Sequence, residues 1–223
     1  MIYLTVRGVR PAFGRFVGGA APIAAPAAGV WRAEGLPSGT GGLVVNLALA
    51  ARTGQARLSS PSGAALGPEQ FIDVRHLTVV DADADRGAAG TSRREWLYLH
   101  PPSTVSVDVA VPAGRTTWFQ AALAIDPSAW RAPSGDGVRF QASVTPLEPP
   151  GPESIILDHT INPRDQPSDR RWAPVEADLT PWSGQAVRLA LRTLPGDDVT
   201  FDWGGWGNPV VVVREFARDR PAA

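Results

Sequence analysis

Along residues 104–111 apolar and polar positions alternate strictly. Val105, Val107, Val109 and Val111 share one face, and Ser106, Asp108 and Ala110 share the other. A period of two marks a half-buried β-strand. The alternation recurs at Val138, Phe140, Ala142 and Val144 against Arg139, Gln141 and Ser143. It recurs again at Val187, Leu189 and Leu191 against Arg188, Ala190 and Arg192, and less cleanly at Val175, Ala177 and Leu179. Further strands are predicted over residues 71–80, 95–100, 118–125, 154–158, 199–203 and 209–215. Turn clusters separate them: Pro112-Ala113-Gly114, Pro133-Ser134-Gly135-Asp136-Gly137, Pro149-Pro150-Gly151-Pro152, Ser183-Gly184 and Pro195-Gly196-Asp197-Asp198. After residue 68 no stretch holds a 3.6-residue period beyond a turn or two around 127–131. Many short strands joined by turns predict an all-β fold, an antiparallel two-sheet sandwich of the jelly-roll kind.

Residues 1–68 do not share this pattern. They read as a poorly defined lead-in with one or two strands, of which 42–51 is the best candidate. Six Arg stand there against one acid, Glu34, and only one of the eight Trp, Trp31, is found there. The expected division is a basic Ala/Gly/Pro-rich lead-in over 1–68, a sandwich domain over 69–215 and a tail over 216–223. No window holds the roughly 18–20 strongly apolar residues of a membrane span. The run over 17–31 is diluted by Gly, Ala and Pro and makes a weak signal peptide. The basic segment is instead a candidate contact to a membrane-anchored partner or parent chain.

Composition removes several chemistries. All 21 basic residues are Arg, so a P-loop lysine and a Schiff-base lysine are both excluded. There is no Cys, which excludes thiol nucleophiles, zinc ribbons and disulfides. His76, His100 and His159 have no metal-ligand spacing, and neither G-x-S-x-G nor H-E-x-x-H occurs. A net charge of −1 gives no reason to expect a nucleic acid partner. The 23 Gly and 22 Pro suit turns rather than long helices.

Several stretches carry a resemblance. They are Leu99-His100-Pro101-Pro102-Ser103 before the alternating strand, Ala124-Ile125-Asp126-Pro127, and Asp136-Gly137-Val138-Arg139-Phe140. Trp172-x-Pro174-Val175-x-Ala177-Asp178-Leu179, Trp182-Ser183-Gly184-Gln185 and Asp202-Trp203-x-x-Trp206-Gly207-Asn208-Pro209 follow. In this order, over residues 69–215, the chain resembles the galactose-binding-domain-like jelly rolls. The nearest type is the carbohydrate-binding module found beside glycosidases and in bacterial cell-envelope glycan proteins. The resemblance implies a two-sheet sandwich that binds glycan by loops at one end, in an extracytoplasmic or membrane-associated setting.

The candidate ligand-binding residues are Trp130, Arg131, Asp136, Trp182, Asp202, Trp203, Trp206 and Asn208. Sugars are held by an aromatic face against the ring's C–H surface and by planar polar groups on the hydroxyls. Trp130 and Arg131, between Asp126 and Asp136, have that chemistry. Their structural alternative is that the acids pin turns and Trp130 caps the core. Asp202 to Pro209 sets two Trp among three Gly, a pattern foreign to a regular central strand, and reads equally as core closure or site. His100 could orient a ligand or hold a turn. Asp81, Asp83 and Asp85, at i, i+2 and i+4, are the candidate ligands of a structural calcium, although the EF-hand pattern fails there. Galactose-binding-like folds often carry such an ion.

No catalytic residue stands out. The leading expectation is a non-catalytic carbohydrate-binding or accessory module. The first alternative is a structural or protein-interaction domain of a larger membrane glycosyltransferase-like protein, and the second a glycan-processing enzyme. A binding module requires at least two exposed Trp close together at one end, whereas a structural domain buries them all. An enzyme requires two carboxyl groups about 5–10 Å apart in a cleft.

Overall fold

The computed structural model describes residues 30–31, 42–59, 72–83 and 88–214. The first sheet runs in the order β1 (Val30–Trp31), β6 (Ser103–Ala110), β11 (Ala186–Pro195), β8 (Val138–Glu148), β9 (Ser154–Ile161), and β3 (Arg57–Ser59) also lies on β6. The second runs β10 (Ala173–Asp178), β7 (Thr116–Ile125), β12 (Gly204–Arg214), β5 (Ala88–Leu99), β4 (Ile72–Asp83). β2 (Gly42–Asn46) pairs with the far half of β12. Every pairing is antiparallel except the two-residue contact of β1 with β6. From β6 onward most connections cross between sheets, so loops gather at the two ends of an all-β sandwich, as expected.

The predicted alternation decides what lies between the sheets. Val105, Val107, Val109, Phe140, Ala142, Val144, Val187, Leu189 and Leu191 are buried and meet Phe119, Leu123, Trp206 and Val211 of the second sheet. Trp206 is fully enclosed, with its ring edge-on to Phe119 (5.9 Å) and Phe140 (5.4 Å). Asp108, on the polar face of β6, is also buried. The neighbouring strands place Arg57 at 2.7 Å and Arg188 at 2.8 Å from its carboxylate.

The expected boundary near residue 68 does not divide the sandwich. β2 and β3 extend the second and first sheets, and Val44, Val45, Leu47 and Ala48 are core residues. The change in charge and Trp content there is compositional and does not mark an end of the core. The strand expected over 42–51 also stops at Asn46, which caps the helix α1 (Leu47–Arg52) by accepting the Leu49 N–H at 3.0 Å.

The strand expected over 199–203 is a loop. Asp198 Oδ1 accepts from Thr200 N, and Phe201 has φ 62°, a left-handed conformation that a bulky side chain adopts only under strain. Asp81 and Asp83 fall in β4, paired with Gly90 and Ala88. Their side chains, and Asp85 entirely, lie outside the described residues, as do 216–223. No described helix is long and apolar enough to cross a membrane.

Candidate functional site

The glycine-rich start of β12 accounts for the densest cluster of candidates. Trp206 points into the core, so Gly205 and Gly207 face outward over the second sheet. A Cβ on Gly205 would lie 2.3 Å from Trp96 Nε1, and one on Gly207 would lie 2.6 Å from Trp172 Cζ3. Two tryptophans therefore rest on bare backbone, where only Gly leaves room. With Leu77, Val79, Ala122 and Ala124 they form a second buried cluster on the outer face of this sheet.

Trp206 is thus a core residue, and Asn208 is a bulge residue. Asn208 has φ 46° and sits where three steps of β12 oppose two of β7, between Gly207 and Val210. The extra residue flips the side-chain parity, which returns Val211 and Val213 to the core. Its Oδ1 accepts the Glu95 N–H at 3.1 Å. Neither residue is placed to meet a ligand. Trp182 is half-buried at the opposite end, where the turn after β10 meets the turn after β6: Val111 N donates to Gln185 O, and Gly114 N to Ser183 Oγ.

The other candidates do gather. Chain direction brings the loops after β7 (126–137), β9 (162–172) and β11 (196–203) to one end, beside the start of β6. Ile125 O accepts from Trp130 Nε1 at 2.8 Å, and the next residue's N–H, Asp126 N, donates to Trp203 O at 2.8 Å. Both tryptophans are half-buried, and Phe201 stands 5.5 Å from Trp203. Arg131 is exposed beside Trp130. His100 is half-buried at this end, its Nδ1 2.8 Å from the Pro101 carbonyl oxygen, which fits a turn-holding role.

A shallow, half-open cleft lies among these loops, lined by Ile125, Ala129, Gly135, Asn162, Arg164 and Phe201. Its enclosed volume of about 10 Å³ has room for roughly one water molecule, so a ligand would sit on the surface rather than inside it. Asn162 ties the cleft together, donating to the Asp136 carbonyl at 3.0 Å and accepting from Asp165 N at 3.2 Å. Arg164 pairs with Asp165 at 2.8 Å and donates to Pro133 O at 2.9 Å. Phe201 and Arg164 were missed from sequence. The first sat inside an expected strand, and the only signal for the second was the turn-forming Asn162-Pro163 pair next to it.

Asp136 and Asp202 serve the architecture. Asp136 Oδ2 accepts from the N–H groups of Asp197 and Asp198 and so fastens the 196–203 loop. Asp202 is fully buried, and neither of its carboxylate oxygens has a hydrogen-bond partner. Burial first, and then the nearby charges of Asp136 and Asp198, push its carboxyl up to about 7. The Gly196 N–H faces it and pulls the other way, but outside hydrogen-bond geometry. A carboxyl held neutral near pH 7 is a candidate general acid. Asp202 has no exposed surface from which to reach a substrate, so it does not supply that acid.

No family model matches the chain. An uncharacterized protein of Archaeoglobus fulgidus is 31% identical over 121 residues, 51% of this chain. The match spans 29% of that relative's length. Similar solved structures are carbohydrate-binding modules or contain them. The CBM51-2 and INT domains of Clostridium perfringens ZmpB match at TM-score 0.46 and 12% identity, over 70% of this chain and 29% of theirs. The CBM51 of Clostridium perfringens GH95, solved with methyl-galactose, matches at TM-score 0.45 and 13% identity, over 70% and 92%. TmCBM61, solved with β-1,4-galactotriose, matches at TM-score 0.36 and 15% identity, over 70% and 86%. At these values they assign no ligand to this chain.

Proposed function

We propose that the chain is a non-catalytic carbohydrate-binding module that takes neutral glycans on the loop end, as the accessory part of a larger extracytoplasmic glycan protein. The observation that carries the reading is the placement of Trp130 and Trp203. Both pack partly against the core and so fall short of the full exposure asked of a binding module. Each keeps part of its surface free at one end of the sandwich, where backbone groups of residues 125 and 126 bond Trp130 Nε1 and Trp203 O. Phe201 extends the aromatic surface, and Arg131 and Arg164 stand beside it as hydroxyl donors. An aromatic face with a few placed polar groups is what sugar rings require.

The three loops carry seven acids against four Arg. Uronates and sialylated glycans would meet like charge there, which favours neutral sugars. The shallow cleft predicts weak binding. Trp96, Trp172 and Trp206 are buried and act structurally, so they offer no binding surface.

Calorimetry and a glycan array test the reading with galactosides, N-acetylglucosamine, xylo-oligosaccharides and polygalacturonate. At least one neutral probe should bind, and Trp203→Ala and Trp130→Ala should each weaken it at least tenfold. Trp182→Ala, at the opposite end, should leave it unchanged. A blank array, or a loss seen only with Trp182→Ala, would refute this site.

A further inference from the structure

We propose, resting on the glycan-binding reading above, that the cleft flanked by Phe201 and Arg164 sets the specificity of the loop end. It reads one free hydroxyl of a neutral sugar whose ring lies on Phe201. The cleft has room for about one water molecule. A hydroxyl group fits that space, whereas a methoxy group or a further sugar on the same oxygen does not. Ile125, Ala129 and Gly135 give it apolar walls, and Asn162 and Arg164 give it polar ones. Both N–H groups of the Asn162 amide are engaged, by Asp136 O and Asp165 Oδ2 at 3.0 Å each. Donation to an incoming hydroxyl therefore falls to Arg164. Its Nε and Nη2 bond Asp165 at 2.8 Å each and its Nη1 bonds Pro133 O at 2.9 Å, which engages three of its five N–H groups. The other two belong to a guanidinium that is fixed from two sides and has 35% of its side chain exposed. Asp165 balances its charge, so Arg164 offers placed donors rather than net charge. That suits a hydroxyl better than a carboxylate.

The backbone of Phe201 supplies an independent observation. Its φ of 62° suits glycine and is costly for a residue that carries a phenyl ring. Such a conformation persists only where the surroundings over-determine it, and strained residues gather where ligands are clamped. The surroundings do so here. Asp136 holds Asp197 N and Asp198 N, and Asp198 Oδ1 holds Thr200 N. Two successive three-residue turns follow, in which Trp203 N donates to Phe201 O and Gly204 N to Asp202 O, each at 2.8 Å. Phe201 packs partly against the core, yet it stays half-exposed at the cleft, 5.5 Å from Trp203. The strain is the cost of presenting a ring at this point, where a sugar's C–H surface meets it while one hydroxyl enters the cleft beside it.

The full chain is titrated by calorimetry with methyl galactoside, N-acetylglucosamine and xylotriose, and with the mono-O-methyl ethers of each. For a sugar that binds, methylation at one position should weaken binding by about tenfold or more, and methylation elsewhere by less than about threefold. Arg164→Lys keeps the charge and loses the planar fork. It and Phe201→Gly should each weaken binding by about tenfold or more. Phe201→Gly and Phe201→Ala both lack the ring, but only Gly relieves the backbone, so the Gly variant should melt about 2–4 °C higher. If the wild type binds none of the sugars, the glycan-binding reading fails and this proposal with it. If the wild type binds and Trp203→Ala weakens it, three results overturn this proposal alone: unchanged binding by Arg164→Lys or Phe201→Gly, equal binding of all the methyl ethers, or Phe201→Ala melting at or above Phe201→Gly. If Arg164→Lys did not fold, the methyl ethers and the two Phe201 variants would decide.

Discussion

Replacing Gly205 with Ala adds one methyl group at a point with no room for it. The new Cβ would lie 2.3 Å from Trp96 Nε1, 2.6 Å from Trp96 Cε2 and 2.6 Å from Leu97 O. Ordinary contact needs about 3.4–4 Å, so something must move by about 1 Å. Neither neighbour yields easily. Trp96 is fully buried with Leu77, Val79, Ala122 and Trp172, and Leu97 O belongs to the strand paired with β12. Overpacking typically costs about 1–3 kcal/mol, and a clash that includes main chain belongs at the upper end. We expect a loss of about 3 kcal/mol, or about 6–12 °C in Tm for a chain of this length. Gly204→Ala is the control. Its Cβ would meet Phe140 Cζ at 3.0 Å and Val138 methyl groups at 3.2 and 3.3 Å, buried side-chain ends that need give by only a few tenths of an ångström. It should cost about 1 kcal/mol. Urea unfolding followed by tryptophan fluorescence and far-UV circular dichroism measures both. A Gly205→Ala loss below about 0.5 kcal/mol, or one smaller than for Gly204→Ala, would refute the assignment of these glycines as seats for tryptophan.

Asp108→Ala should destabilise the fold by about 1.5–3 kcal/mol. This is below the roughly 3–5 kcal/mol of a fully buried pair, because Arg57 and Arg188 are 55% and 40% exposed. Burial pushes the Asp108 carboxyl up, but hydrogen bonds from Arg57 and Arg188 outweigh it and hold it below the ordinary carboxylate range. Its stabilisation is therefore present above the unfolded value near 4 and lost as pH falls through the lower folded value, and Asp108→Asn should flatten that acid limb in urea midpoints. Asp202 has the opposite sign: raised to about 7 in the folded chain, it favours folding fully below about pH 4 and loses that contribution as pH rises through 7. Asp202→Asn should thus gain stability relative to wild type by about 1–3 kcal/mol between pH 5 and pH 8. A difference that stays flat over that range would contradict the buried placement of Asp202.

Local pattern made most of the sandwich legible. Alternation at Val105–Val111, Val138–Val144 and Val187–Leu191 depends only on which face of a strand is wet, and all three segments bury the expected side chains. The loop end was partly legible too, since Trp130, Arg131, Asp136, Asp202 and Trp203 come from the three loops there. Trp182 was not separable from them, because which end a turn occupies depends on strand direction summed over the whole topology. The 199–203 stretch has strand-like composition, but Asp136, about sixty residues away, holds the preceding turn and makes it a loop. The boundary near residue 68 misled because charge and Trp content describe composition, whereas pairing of β2 with β12 and β3 with β6 is a long-range choice.

The sequence by itself determined the all-β class, the faces of the central strands and the absence of lysine and cysteine chemistry, because each follows from residue type and spacing alone. Only the tertiary structure decided the use of Asp202 to Pro209. There one bulge at Asn208 sets the parity, Trp206 turns inward, and Gly205 and Gly207 receive Trp96 and Trp172 from distant strands. A side chain's burial depends on what packs against it, and those partners lie up to about a hundred residues away in the chain.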